Sequence, residues 1–474
     1  MEIKSRDFKS RAAKACRDVR LGQTLKNAAR VHRAKTDKAF SKFKRVQEFR
    51  TRARRAKEYA LARLPELLTR LESRVREAGG MVHWARDAAE ANAIVVRIAT
   101  KNNVRSVVKG KSMVTEETGL NKALLDAGCE VLETDLGEYI VQLAKEPPSH
   151  ITAPAVHKTR SQVANLFAEK LGSPRTENIE QLTLTARAAL RQKFLDADMG
   201  VTGANMAVAE TGSIVLVENE GNIRLTATAP PIHVAVMGIE KVVDNLDDMA
   251  VILSLLARTA TGQTLSSYTS VITGPRLAGE SDGPKQFHLV LLDNGRSAIL
   301  RDPTLREILY CLRCGHCLSV CPVYEKVGGH SYGWVYPGPM GSVLTPLLAP
   351  PGEAEDLPFA CTGCGACVEE CPVRINIPKL LLVLRSKTSG HETGVRVFAW
   401  LARHPGMYRA ALAALRTLDP NLAATRHAPV LGRPLRTWIR NRSLPGLKKP
   451  FSKRWPSLEK ELESLRDKHD QQRP

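Results

Sequence analysis

Eight of the ten cysteines fall into two copies of one pattern, Cys311-x2-Cys314-x2-Cys317-x3-Cys321-Pro322 and Cys361-x2-Cys364-x2-Cys367-x3-Cys371-Pro372. Thiols at three-residue intervals stand around one tight turn of backbone, which suits three corners of an iron–sulfur cube. Where two such runs share a chain, the fourth cysteine, followed by proline, ligates the other cluster. The spacing therefore predicts two [4Fe–4S] clusters and one-electron chemistry. Cys311, Cys314, Cys317 and Cys371 would bind the iron of one cluster, and Cys361, Cys364, Cys367 and Cys321 that of the other. Zinc is the competing metal, but a zinc ribbon needs only paired C-x2-C units and no Cys-Pro. Eight cysteines in two clumps of a 474-residue chain do not resemble a small disulfide-stapled scaffold. Cys16 and Cys129 stand apart and read as ordinary thiols.

Two other segments carry chemistry-bearing residues. Lys109-Gly110-Lys111-Ser112 lies between a predicted strand and a predicted helix. Its lysines, hydroxyl and free backbone N–H groups suit an anion, and open α/β sheets bind ligands at strand C-termini. The competing reading is that Ser112 or Thr115 simply caps the helix, with Glu116 and Glu117 at its positive end. In the second segment, residues 198–225, Glu210 precedes a buried strand, and Glu218-Asn219-Glu220-Gly221-Asn222 reads as a hairpin turn. Glu210 or Glu218 on such turns suits a nucleophile or base. The glycines there do not fit G-x-G-x-x-G, so no dinucleotide fingerprint is present. His150, Pro154 and His157 are further candidates for lining the same cleft, although lone histidines are more often structural.

These residues need elements to hold them. Residues 1–80 form a basic helical region, with leucine and alanine at three- and four-residue spacing and arginines opposite. From 81 to 296 short apolar strands alternate with helices, which implies a largely parallel α/β sheet. Strands are expected at 104–110, 129–135, 213–218, 233–238, 270–274 and 287–292, and a helix at 114–128. The dicluster ferredoxin domain spans 297–387, with helices at 304–310 and 377–387. The long Gly- and Pro-rich connection between its motifs favours an α-helical ferredoxin over the compact β type. Tyr324, Tyr332, Trp334 and Tyr336 in that connection are suited either to shielding a cluster from water or to ordinary packing. Residues 388–474 are a basic, Pro-punctuated interaction region containing the amphipathic stretch 407–418, with Trp438, Pro445 and Trp455 beyond it.

Charge is concentrated at the flanks. Residues 1–60 hold 20 Lys and Arg against 6 Asp and Glu, and residues 385–474 hold 19 against 7, in a chain of net charge +21. Solvated basic helices, anionic lipid on a cytoplasmic leaflet, or an acidic partner subunit each fit that distribution. Nucleic acid fits poorly, because no groove-reading motif or aromatic-interleaved basic patch accompanies the charge. No apolar run approaches the length of a membrane span. The first residues lack the apolar core of a secretory signal. Cluster thiolates favour a reducing compartment, so the expected location is cytoplasmic, with peripheral attachment to the inner membrane face as an option.

The segments KGKSMVTEE, ETDLGEYIVQL, HITAPAVHK and AETGSIVLVENEGN resemble the lactate-utilization domain. The run from Arg306 through the paired motifs to Leu381 closely resembles the iron–sulfur subunits of the lactate utilization protein B family. The likeness covers roughly residues 60 to 455 and implies an α/β domain similar in fold to the NagB/RpiA/CoA-transferase group. It implies an electron carrier in the oxidation of L-lactate to pyruvate, acting with two partners. One is a cysteine-rich CCG-domain subunit and the other a second lactate-utilization-domain protein. Members of the family can lack the first cysteine of the second motif; Cys361 is present here and favours a complete second cube. The resemblance puts dehydrogenation with the partners and leaves this chain as a carrier. A different 2-hydroxy acid, glycerol 3-phosphate or a heterodisulfide system would serve the same wire. An acyl- or CoA-transferase using Glu210 or Glu218, with regulatory clusters, is the alternative of another class.

Overall fold

The computed structural model describes residues 3–387, 393–417, 455–456, 458–460 and 462–463. The contacts divide the chain into two units, Met1–Thr388 and Ser389–Pro474. Among the described residues of the first, ten strands occur: β1 (Met81–Ala85), β2 (Ser106–Lys109), β3 (Glu130–Glu133), β4 (Met199–Gly203), β5 (Met206–Val208), β6 (Ser213–Glu218), β7 (Ile232–Gly238), β8 (Val242–Val243), β9 (Tyr268–Ile272) and β10 (Gln286–Leu292).

Six strands form a parallel sheet in the order β1-β10-β7-β4-β2-β3. Its central strands are nearly continuous apolar runs because helices cover both faces. Val234, Ala235, Val236, Leu289, Val290 and Leu291 are all buried. One covering helix, Ala88–Lys101, starts where the Asp87 side chain accepts the Glu90 N–H and presents Ala91, Ile94, Val95 and Ile98 inward. The helix Leu246–Thr261, which packs on the basic helices and on β5, is capped by Asn245 and stopped by Gly262 at φ 73°, a left-handed end that favours glycine.

The remaining strands form a second, mixed sheet in the order β8-β5-β6-β9. The sequence does not predict it. Strands expected at 213–218 and 270–274 belong to this sheet as β6 and β9, not to the parallel one. Two further expectations are corrected. The helix expected over 114–128 is broken at Gly119 (φ 71°) into Met113–Thr118 and Leu120–Asp126. The segment Glu218–Asn222 is not a hairpin turn: it leads from β6 into the helix Asn222–Thr228, and the tight hairpin lies earlier, between β5 and β6.

After β10 the described chain is helical up to residue 387. Short turns at Leu305–Tyr310, His316–Ser319, Pro322–Val327, Gly329–Tyr332, Leu357–Phe359 and Ala366–Glu369 surround the longer helices Gly338–Leu348 and Ile377–Lys387. This is the α-helical ferredoxin arrangement expected.

The basic region is helical at Phe8–Ala15, Val19–Ser41, Val46–Ala62 and Leu64–Glu77. Much of its charge is engaged inside the first unit. Arg33 pairs with Glu325 at 3.0 Å, Lys9 with Asp356 at 2.8 Å and Arg54 with Glu307 at 2.9 Å. In the second unit, helices cover Thr393–Ala402 and Pro405–Thr417, where Phe398, Trp400 and Met407 are exposed. Trp438 and Pro445 lie outside the described residues.

Gly200 in β4 has a steric role: a Cβ there would stand 1.8 Å from the Thr226 carbonyl oxygen, which is how the helix Asn222–Thr228 comes to lie against the sheet. Gly200→Ala is expected to destabilise the protein by about 1–3 kcal/mol through overpacking. Gly22→Ala, in a helix with nothing within 4 Å of the new methyl, is expected to stabilise by about 1 kcal/mol. Denaturant midpoints of the two variants check both signs.

Candidate metal centre and its adjoining cavity

The two cysteine motifs fold alike. In the first, the Arg313 N–H points to Cys311 Sγ at 3.4 Å; in the second, the Gly363 N–H points to Cys361 Sγ at 3.3 Å. Each loop then turns through a left-handed glycine, Gly315 (φ 77°) and Gly365 (φ 81°), into a one-turn helix that carries the third cysteine. The fourth cysteines accept from Tyr324 N at 3.5 Å and Ile375 N at 3.4 Å. Backbone N–H groups aimed at sulfur favour the thiolate form that iron requires.

The fourth cysteine of each run lies with the opposite motif. A small cavity of about 20 Å³ is lined by Cys321, Cys361, Cys364 and Cys367, with Pro322, Pro339 and Pro378 around them. Cys371 does not line it; the charges that act on Cys371 are those of Cys314 and Cys311. Burial pushes the Cys314 thiol up to about 11, and neighbouring Cys311 pushes the same way. Burial likewise takes Cys367 and Cys371 to about 12, with other cysteines of the two loops adding to it. Such thiols hold their protons at neutral pH, and a metal that binds them must displace those protons.

The site's residues suit an iron–sulfur cube. All ten cysteines are free thiols. Tyr332 Oη is buried without a hydrogen-bond partner, and Cys321, Cys317 and Cys361 act on it; an inorganic sulfur is the kind of acceptor that such a donor lacks. Tyr324, Tyr332, Trp334 and Tyr336 are all buried. Two also have structural partners: the Tyr324 hydroxyl donates to Ser149 O at 2.9 Å and that of Tyr336 to Glu117 Oε2 at 2.5 Å.

The basic helices grip these loops. Arg50 Nη1 donates to Glu369 O at 2.7 Å, just before Cys371, and Arg54 Nη1 donates to Arg374 O at 2.6 Å, just after it. His32 meets His316 at 3.2 Å, and His316 meets Glu370 at 3.1 Å. The two motifs differ in exposure. Cys314 is buried, whereas Cys364 is exposed and Gly363 and Gly365 face open space.

Beneath the first loop is a cavity of about 270 Å³ at the carboxyl ends of β2, β4 and β7, where open α/β sheets place their ligands. Cys314 and Arg313 from the cysteine loop form one wall. Of the residues proposed from sequence for a substrate site, Lys111, Ser112 and Glu218 reach this cavity. Lys109 and Glu210 do not. Lys109 is fully buried and held by Glu116 at 2.9 Å and Glu133 at 2.8 Å, which keep it charged. Glu210 accepts the Leu246 N–H at 3.2 Å and resides at an outer turn. Glu218 accepts Ile223 N at 2.8 Å and Arg224 N at 2.7 Å, so it caps a helix. Ser112 is both the expected cap, accepting Thr115 N at 3.4 Å, and a lining residue. His150 Nδ1 accepts backbone N–H groups of Thr152 and Ala153, and His157 lies between Ser149 and Glu146; neither lines this cavity.

Sequence reasoning missed the buried charges behind the cavity. Arg296 donates to both Glu117 oxygens at 2.9 Å and to Glu240 Oε2 at 2.7 Å. Arg313 Nη2 is 3.4 Å from Glu240 Oε1, and Lys57 donates to the Glu240 carbonyl. Burial alone would raise the Glu240 carboxyl, but Arg296, Arg313, Lys241 and Lys57 outweigh it and hold it at about 2. One signal was visible in the sequence: the first loop places Arg313 where the second has Gly363.

A parallel α/β domain joined to a helical domain with two four-cysteine motifs defines a dicluster iron–sulfur protein. Residues 68–292 match the LUD domain family model and residues 307–375 the 4Fe-4S dicluster domain. Lactate utilization protein B of Shouchella clausii is 42% identical over 465 residues, covering 96% of this chain and 97% of the relative. That of Bacillus subtilis is 45% identical over 383 residues, covering 81% of this chain and 80% of its own. An uncharacterized electron transport protein of Escherichia coli, YkgF, is 43% identical over 415 residues, covering 86% and 87%. The chain belongs to the lactate utilization protein B family.

Arg296→Leu strands two buried carboxylates and is expected to destabilise by about 3–5 kcal/mol. Removing the exposed Lys122–Asp126 pair is expected to change stability by less than about 0.5 kcal/mol. Denaturant titration separates the two. Acid has a defined sign here. The Glu240 carboxyl titrates lower folded (about 2) than its ordinary 4.5, so its stabilisation is present above pH 4.5 and is lost as pH falls toward 2. In the cluster-free protein, the stability gap between wild type and Glu240→Gln is expected to shrink across that window.

Proposed function

We propose that this chain is the iron–sulfur electron carrier in the oxidation of L-lactate to pyruvate. The observation that carries the reading is the pair of cysteine loops, one buried against a cavity and one at the surface. Membership in the lactate utilization protein B family supports lactate as the electron source. Cys311, Cys314, Cys317 and Cys371 hold one [4Fe–4S] cluster, and Cys361, Cys364, Cys367 and Cys321 hold the other; the cavity shared by the second set supports this pairing. Each cluster takes up one electron at a time, so a two-electron oxidation is accepted in single steps.

The chain's own residues do the rest. Arg50, Arg54 and His316 fix the loops, and the buried aromatic residues of the connection keep water from them. Exposed Phe359, Thr362 and Cys364 offer the surface at which electrons pass to another protein. The partners are a CCG-domain cysteine-rich subunit and a second lactate-utilization-domain protein. Among the described residues no helix is long and apolar enough to cross a membrane.

Anaerobic EPR after addition of L-lactate tests the function. Reduced-cluster signals that need the two partners support the reading. Clusters that dithionite reduces but lactate never does, partners present, overturn lactate as the donor. The ligand sets are tested by Cys321→Ser, expected to lower iron from about eight to about four per chain while sparing the first cluster's signal. Loss confined to the first cluster overturns the crossed pairing.

A further inference from the structure

The cavity beneath the first cysteine loop has no assigned occupant. Its volume of about 270 Å³ lies near the lower end for small-molecule sites, and such sites set a few polar groups in an apolar wall. Met237, Leu256 and Leu312 supply apolar wall here.

The charges within it are unequal in freedom. Its carboxylates are already engaged: Glu218 by two backbone N–H groups, Glu220 by Leu136 N at 3.1 Å, Asp135 by Glu138 N at 3.1 Å and Glu240 by Arg296. Of the cations that line it, Arg296 is held by Glu117 and Glu240, and Arg313 uses one nitrogen on Glu240; the two lysines are freer. Lys111 and Lys241 line the cavity and have no carboxylate within 4 Å among the described residues. Arg313, whose side chain is 8% exposed, keeps Nη1 buried with no partner. Two neutral donors add to them. Asn205 uses its carbonyl oxygen on Val217 N at 2.9 Å and leaves its amide N–H groups over, and the Ser112 hydroxyl accepts but does not donate.

Arg313 also sits at a backbone angle that argues for its side chain. Its φ is 60°, and the matching position of the second loop is Gly363 at φ 74°. A non-glycine residue in that region costs on the order of 1 kcal/mol or more. The loop needs only the turn, which glycine makes more easily. The guanidinium, 5.2 Å from the Tyr336 ring centroid and on the cavity wall beside Cys314, is what the arginine adds. A planar guanidinium matches a carboxylate in two hydrogen bonds, and an ammonium adds a point charge.

We propose that this cavity binds a small organic carboxylate of the 2-hydroxy or 2-oxo acid class, held by Arg313 and Lys241 against the Cys314 wall of the first cluster loop. The inference deepens the lactate reading and rests on it for the ligand's class. It places the acid in the electron-carrying chain itself, next to the buried loop and away from the exposed one. Asn205 and Ser112 are the donors for the substituent on the second carbon.

The test uses the full cluster-loaded chain without partners, with pyruvate and L-lactate as probes in equilibrium dialysis and anaerobic calorimetry. Saturable binding of one equivalent is expected, together with a pyruvate-induced change in the EPR spectrum of the dithionite-reduced protein. Arg313→Gly, which gives the first loop the second loop's sequence at that position, is expected to weaken binding roughly tenfold to a hundredfold and abolish the spectral change. Lys241→Met is expected to weaken binding similarly, and decides the matter if Arg313→Gly fails to take up iron. No binding of either acid at millimolar concentration by a fully loaded chain overturns the proposal and leaves the electron-carrier reading intact. Unchanged binding in Lys241→Met with either unchanged binding or iron loss in Arg313→Gly also overturns it. Saturable binding, weakened by Lys241→Met, to a chain that takes up no iron would keep the cavity and overturn the cluster reading instead.

Discussion

Glu240 lies where four pieces of chain meet, and its buried negative charge makes their meeting obligatory. It follows the end of β7 and binds Arg296 from just beyond β10, while Arg296 binds Glu117 from the helix after β2. Arg313 brings the first cysteine loop to the same carboxylate, and Lys57 brings the second long basic helix to its carbonyl. Tyr336 closes the group from the connection between the motifs, through Glu117. A charge buried this deeply is tolerated only with all its partners in place. The junction therefore fixes the cysteine loop against the sheet by electrostatics as well as by apolar contact, and it fixes the floor of the cavity at the same time.

The basic residues of the first 62 positions acquire a structural meaning from this arrangement. Arg50 and Arg54 straddle Cys371 by donating to carbonyls on either side of it, and Arg33 and Lys9 reach acidic residues of the cluster region. Guanidinium groups that satisfy loop carbonyls hold a turn that has no regular ladder of its own. They also place positive charge close to a centre that gathers thiolates.

Much of this was legible in the sequence, for identifiable reasons. The cysteine spacing is local and chemically narrow, so the centre could be read directly from it. β6, β7 and β10 were legible because buried strands are short, uninterrupted apolar runs. β8 has two residues and β9 is largely exposed, so neither has a pattern that identifies its sheet. The substrate-site residues divided by what lay opposite them. Lys111 and Ser112 reach the cavity, whereas neighbouring Lys109 points into a nest of carboxylates from Glu116 and Glu133. Lys109 closes β2 while Lys111 and Ser112 lie in the turn beyond it, and which of them faces a ligand depends on residues far away in sequence. Arg296 and Glu117 are 179 positions apart, and no local pattern announces their pairing.

The grip of the first helices on the cluster region also sets an order of assembly. Ser5 donates to the Tyr332 carbonyl and Phe8 packs on the Tyr332 ring, across 327 positions for the hydrogen bond. A ribosome emits the basic helices first and the cysteine loops after the entire α/β domain. The apolar faces of those helices therefore wait, uncovered, through most of synthesis, and closing so long a loop is slow. Maturation is consequently a late and global event: the pocket that receives iron takes its final form only when the earliest and latest parts of the unit have found each other.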